Sequence, residues 1–521
     1  MGQKLFNFNN RTVKLIFYFL FTLTFYFAIT SPNLILGDNN ITNIGTTIFT
    51  TKIILFVFGS GLAIYASENI KNFLAFILID KRWVTSSILL AIAVLSQITF
   101  ILLVHPGIGF DVGGIHYAVL DPKDINTIGY FSVNPNNLNM LLMEHGLAVL
   151  FNKTSWLFFD ILTLVFVDIS VALNILSIYI IDKTKVPIGI YIHSLWLLFF
   201  PMIIIPYTDT WVLPFISLYF LSYCLIFHSK KTTSTKVIWT IIMGFSVVGA
   251  YFIKPSGIIP AIAIIIIESI HLLIQRNHKW QMLSLITLVF IGTAGASYGV
   301  INHAIQTQTY IHVNSFRAKP MVHFINMGLS GDGGYNAKDS QKMVVTIDKQ
   351  KRIDYSVNSI KKRLGKMGFS GYLKFLYRKH NNNTSDGTFA WVKEGDFIHG
   401  SPSPAKSGIK GKLENFLYLY GNNLGDFRYI AQIWWCIWLG IIFFAWSDNR
   451  KITQVMRLSI IGGFLFLLIF EGGRSRYLIQ FLPSFLLLAS LSFNNSMQQI
   501  KRLFSWAYDD TNHVTFAHKK K

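Results

Sequence analysis

One feature limits what this chain can fold into more than any other. Apolar runs of about 18 to 22 residues return along its length, separated by short polar links. At a rise of about 1.5 Å per residue, each is long enough to cross a hydrocarbon layer about 30 Å thick as a helix. In that layer only a helix or a closed barrel satisfies its own backbone hydrogen bonds. Runs of this length are far beyond the strands of a barrel, so the fold class is an all-α polytopic membrane protein of about 12 transmembrane helices. The composition agrees: 52% of the 521 residues are hydrophobic and 14% charged, against about 25% charged in a soluble domain. The formal charge of +21 is scattered between the apolar runs. Scattered cations orient spans and meet membrane lipids, and no nucleic-acid partner is expected. The two cysteines, Cys224 and Cys436, both fall within apolar runs, so neither a disulfide framework nor a cysteine metal site is expected.

Basic residues set the orientation. Lys4, Arg11 and Lys14 precede the first run, near 13–30, and Lys71, Lys81 and Arg82 follow the second, near 49–67. The third, near 84–104, therefore delivers residues 105–154 to the outside. The same rule carried onward predicts spans near 155–180, 186–206, 210–228, 237–253, 257–275 and 281–304. A hydrophilic segment, 305–426, comes next, followed by spans near 428–446, 457–471 and 476–495. No cleavable signal peptide is evident ahead of the first span. The expected organisation is helices in 1–104, a large external loop in 105–154, helices in 155–304, an external subdomain of mixed structure in 305–426, and in 427–521 the last helices with a basic tail ending Lys519-Lys520-Lys521. This is a multi-pass cell-membrane protein with both termini cytoplasmic.

Chemistry concentrates in the loop after the third span. In GFDVGG, Asp111 stands among glycines that let the backbone bend and a ligand approach. A carboxylate there can act as a general base toward a hydroxyl, or simply cap a turn. His116, Asp121 and Asp124 share the loop and can help bind an acceptor or a metal, His116 being the candidate substrate contact, or simply be solvated; their spacing matches no standard metal signature. Tyr130 and the NPNN segment with Asn136 and Asn137 supply an aromatic face and amides suited to sugar hydroxyls, or a turn ahead of a helix. Tyr207 and Asp209 lie in YTDT at a hairpin tip, where Asp209 is either functional or a helix cap. Lys254 occupies a tight turn, and Arg474 and Arg476 lie in the short EGGRSRY link. Cations held between close spans can clamp a lipid-linked phosphate, arginine in bidentate fashion, or snorkel to headgroups. No nucleotide cradle is evident, so a lipid carrier is the expected form of any activated substrate.

The segments YFSVNPNN, YTDTWVLPF, IKPSGIIP, MGLSGDGGYN, DGTFAWVKEG and EGGRSRYLIQFLP, in this order, resemble polytopic proteins of Gram-positive bacteria assigned to the GT-C class of membrane glycosyltransferases. That class is related to protein O-mannosyltransferases and aminoarabinose transferases. The resemblance implies a GT-C-like bundle, a polyprenyl-monophosphate-linked sugar donor used outside the membrane, and inverting transfer to a hydroxyl of a cell-surface glycopolymer such as teichoic acid or wall polysaccharide. It carries the catalytic base onto Asp111 and the donor-phosphate contacts onto Arg474 and Arg476. Metal use varies within the class, and no cofactor and no metal are expected. One departure stands out: where the class tends to read Tyr-Phe-x-Arg-Tyr-Pro-Asn-Asn, this chain has Val133 and Asn134 in the Arg and Tyr places. The competing readings are a flippase or transporter of lipid-linked saccharides, for which Asp160 and Asp168 in the fourth run would matter, and a polysaccharide polymerase.

Overall fold

A computed structural model describes residues 2–274, 280–389 and 403–505. The basic end at 519–521 and the latter part of DGTFAWVKEG lie outside the described residues. Every regular element among the described residues is helical, so the mixed subdomain expected over 305–426 is instead built from helices: Met321–Gly328, Ala337–Val345, Lys349–Thr384 and Gly408–Leu417.

Among the described residues, ten segments are long and apolar enough to cross a membrane. In chain order they are Phe8–Leu34, Ile48–Ala66, Arg82–Leu103, Trp156–Ile181, Thr208–Phe227, Thr233–Ile253, Pro255–Leu272, Trp280–Thr307, Lys451–Ile469 and Ser475–Leu503. Two of the expected twelve fall short, for different reasons. Val186–Phe199 has 14 residues, about 21 Å of helix, and stops where Pro201 forces the chain into a 3-10 turn. Leu424–Phe443 has 20 residues but opens with Asp426 and Arg428, both buried. Asp426 is engaged in capping. It accepts the backbone N–H of Thr47 at 2.7 Å and the hydroxyl of Thr50 at 2.6 Å, so it neutralises the free N-terminus of the second span.

The spans sort into a centre and a rim. Thr208–Phe227 and Ser475–Leu503 are 78% and 83% buried, whereas Ile48–Ala66 and Trp280–Thr307 are only 6% buried. In lipid there is no hydrophobic drive between helices, so close approach through small residues decides who packs. A Cβ on Gly463 would stand 2.9 Å from the Phe481 ring, and one on Gly189 2.6 Å from Ile178.

Two segments expected outside are more ordered than loops. Residues 105–154 fold into three helices, Phe110–Leu120, Ile125–Val133 and Leu138–Phe151. The long helix Lys349–Thr384, kinked at Gly368 (φ 60°), does not stay at the surface. Near its end His380 Nε2 meets the Thr24 hydroxyl at 3.0 Å, midway along the first span, and Tyr377 packs edge-on against Phe27. The helix therefore closes alongside the bundle, one to two turns from the ninth-to-tenth span link that carries Arg474 and Arg476.

Candidate active site

Asp111 lies in the first turn of Phe110–Leu120, where helical N–H groups and the macrodipole favour a negative charge. The backbone reaches this turn at a cost: Phe110, a non-glycine residue, sits at φ 54°. Gly113 is required here, because a Cβ would stand 2.4 Å from the Ile108 carbonyl. Two phenols fix the carboxylate. Tyr130 donates to Oδ1 at 2.7 Å and Tyr207 to Oδ2 at 3.1 Å, and Asn137 Nδ2 donates onward to the Tyr130 oxygen at 2.6 Å. Burial, and then the charge of Asp111, raises both phenols well above their ordinary range, so they stay protonated as donors.

Tyr207 also looks the other way. Its ring centroid lies 5.8 Å from the Arg476 guanidinium and 6.0 Å from the Lys254 ammonium. Tyr477 covers the same two cations at 4.8 and 5.3 Å. Arg476 donates to the Tyr477 hydroxyl at 3.2 Å, which donates to Glu471 at 3.1 Å. Lys254 is ion-paired with Asp209, a fully buried acid. The structure thus brings Asp111, Tyr130, Asn137, Tyr207, Asp209, Lys254 and Arg476 into one connected cluster.

The remaining residues singled out in the sequence lie differently. His116 is five positions past Asp111 on the same helix, on another face, and stacks on Trp156 at 3.9 Å. Burial lowers it to about 4, which suits a neutral ring in packing. Asn136 is exposed and donates to Asn137 Oδ1, away from the carboxylate. Asp124 caps Ile125–Val133 through Thr127 N, and Asp121 holds a turn through Lys123 N. Arg474 lies against the SGDGGYN turn, its Nε 3.9 Å from where a Cβ on Gly334 would be. No group of three or more potential metal ligands occurs among the described residues.

A loop with two glycines cannot position an arginine by itself, and here the long helix does it. Lys379, fully buried, donates to the carbonyls of Gly328 (2.6 Å), Leu468 (3.1 Å) and Phe470 (2.6 Å). Gly472 N donates to Gly333 O at 2.9 Å, and Gly473 N to Asn383 Oδ1 at 2.6 Å. Gly473 itself needs φ 73°, in a slot where a Cβ would meet the Asp332 carbonyl at 2.7 Å. From the other side, Ser256 of the KPSG turn donates to Gln480 at 2.5 Å.

A family model described as conserved hypothetical integral membrane protein matches residues 5–497. The chain belongs to that family. No curated protein and no solved structure matches it. The family description assigns no chemistry to these residues, so the role of the cluster rests on its own side chains. Sequence reasoning missed one of them. Lys319 reaches in from the 308–320 segment, donating its backbone N–H to Val133 O at 3.1 Å and its ammonium to Asn134 Oδ1 at 2.9 Å and Ser340 Oγ at 3.0 Å. Burial lowers its pKa, and the charges of Asp111 and Glu471 act in the opposite sense. No spacing in the sequence signals it.

Proposed function

We propose that this protein is a membrane glycosyltransferase that moves a sugar from a polyprenyl-monophosphate carrier to a hydroxyl of a cell-surface glycopolymer, on the outer face of the membrane. The observation that carries the reading is Tyr207, whose hydroxyl holds Asp111 while its ring lies beside Arg476 and Lys254. An acid able to take a proton and cations able to hold a phosphate therefore stand within one side chain of each other. The likeness of the sequence to GT-C enzymes supports the same chemistry, and the distribution of basic residues supports cytoplasmic termini with this cluster outside.

The reaction follows from those parts. The acceptor oxygen attacks the anomeric carbon while Asp111 takes its proton. The bond from that carbon to the phosphate oxygen breaks, and polyprenyl phosphate leaves with the electron pair, inverting the centre. Arg476, with Lys254, stabilises the charge that grows on the leaving phosphate, the contribution that usually dominates such catalysis. Phosphate is a good leaving group, so no strong general acid is required. Val133 and Asn134 replace the Arg and Tyr of the resembled class, and Lys319 brings a cation to the same two residues from elsewhere in the chain.

The test is transfer by purified protein. Membrane extracts of a deletion strain supply acceptor, and polyprenyl-phosphate sugars are offered singly. Wild-type protein should label the acceptor and a folded Asp111→Asn variant should not; equal labelling by both would refute the assignment. A flippase reading draws support from Asp160, fully buried in the fourth span with neither carboxylate oxygen hydrogen-bonded. Transfer in detergent, where no bilayer has to be crossed, separates the two.

A further inference from the structure

A second polar site lies at the other face of the bundle. From Asn10 to Asn33 the first span runs about 35 Å, close to the thickness of the hydrocarbon core. Asn33 donates to Asp386 at 3.1 Å, and Asp386 N meets Ser475 Oγ at 3.4 Å, between the two arginines of the candidate active site. The Asn10 end is therefore at the opposite membrane surface. There Asn10, Arg11, Lys14 and Asn449 line an open cleft of about 270 Å³.

One wall of this cleft is held in place. Lys14 donates to Asn449 Oδ1 at 2.9 Å. Asn449 follows Asp448, which is locked by Arg450, Thr453 and Ser492. Arg457 donates to the carbonyls of Asp448 and Ala445 at 2.7 and 2.9 Å and lies over the Phe17 and Tyr18 rings, one turn beyond Lys14. Arg11 and Lys14 are one helical turn apart on a helix edge, spaced to hold one anion together. Asn10 is 8% exposed, and its Oδ1 accepts no hydrogen bond in the protein. A buried acceptor without a donor is costly. An occupant that satisfies the whole cleft must offer negative charge to Arg11 and Lys14 and an O–H or N–H to Asn10.

We infer that this cleft binds the headgroup of an anionic phospholipid of the glycerol-phosphate type, with the phosphate on Arg11 and Lys14 and a headgroup hydroxyl donating to Asn10 Oδ1. A basic pocket between helices at headgroup depth suits such a ligand. Free phosphate shares the charge but has no tail to place it at this depth. The site is independent of the chemistry proposed at Asp111.

The experiment is native mass spectrometry of the full-length protein, delipidated and then offered phosphatidylglycerol, phosphatidic acid or phosphatidylethanolamine. Wild-type protein should retain phosphatidylglycerol above the other two. R11Q/K14Q should weaken that retention about 25-fold, at about fivefold for each cation near the surface, while R11K/K14R keeps it. N10A should bring phosphatidylglycerol down to the level of phosphatidic acid, whose headgroup has no alcohol, and leave phosphatidic acid unchanged. Unaltered retention in R11Q/K14Q with an unaltered thermal midpoint would overturn the site. Displacement of the lipid by a large excess of inorganic phosphate would overturn the lipid as its source. An equal effect of N10A on both lipids would overturn the role of Asn10.

Discussion

At each face of the bundle a carboxylate is held in a polar cluster, and the two are finished differently. Asp448 accepts from Arg450 Nε at 3.1 and 3.2 Å, from its terminal nitrogen at 2.6 Å, from Thr453 at 3.3 Å and from Ser492 at 2.9 Å. Burial works to raise its pKa, yet the hydrogen bonds and charge of Arg450 hold it below the ordinary carboxylate range. Nothing is left over for a ligand. At the opposite face, Asp111 is half-buried and held by two neutral phenols, with no ion pair among the described residues. Its neighbour Asp209 keeps one oxygen without a partner despite the contact with Lys254. A saturated cluster is a fastening. One with spare donors and acceptors has capacity for something that comes and goes.

That contrast can be broken by experiment. Asp111→Asn should cut transfer by about 10² to 10⁴ with little change in the thermal midpoint. Asp448→Asn should do the reverse, costing about 3 kcal/mol of stability by leaving Arg450 partly buried and unpaired, with turnover per folded molecule unchanged. Thermal unfolding and transfer assays on both variants decide it, and a matched loss of stability in the two would erase the distinction. A smaller effect is expected at the phosphate side. Arg476→Lys keeps the charge but loses the fork and the stack on two rings, and should raise KM for the lipid donor about tenfold with kcat less affected. An unchanged KM would place the donor phosphate elsewhere.

The smallest effect is a pH slope. Burial pushes Lys379 down to about 7 against an ordinary 10.5, with Glu471 acting the other way. Between those values the unfolded chain holds more protons than the folded one, so stability should rise with pH there and show no slope from this group below about 7. The thermal midpoint should climb by a few degrees between pH 7 and about pH 9, and Lys379→Met should flatten the curve. A midpoint that stays flat over this window would mean that the three carbonyls hold the ammonium charged, since the folded and unfolded chains would then carry the same proton.

The sequence made the parts of the site carried on short stretches readable. Asp111, Tyr130 and Asn137 lie within one stretch: the link at 121–124 folds Ile125–Val133 back on Phe110–Leu120, and the NPNN turn that follows brings Asn137 to Tyr130. Arg476 and Lys254 were legible as cations on minimal links, though not as neighbours of one tyrosine. Lys319 and the Lys379 anchorage were not legible, because each depends on segments brought together only by the packed bundle. The spans were recognisable wherever the apolar run was uninterrupted. Of about twelve expected spans, ten among the described residues meet the length and hydropathy needed; the other two fall short at Leu424–Phe443, where buried Asp426 and Arg428 shorten the apolar stretch, and at Pro201, where a helix ends early. Within 305–389 the amphipathic spacing of YSVNSIKKRLGKMGFSGYLKFLYRK marks the long helix Lys349–Thr384, whereas the short helices Met321–Gly328 and Ala337–Val345 flank the glycine-rich SGDGGYN and carry no such signal.

The cap that Asp426 places on the second span has a consequence for biogenesis. That span touches little of the protein along its length, and the acid that secures its leading end lies 379 positions later in the chain. While the ribosome is still translating, that one helix therefore waits in the bilayer with its leading end uncapped, and it is fastened only when the stretch carrying Asp426 emerges.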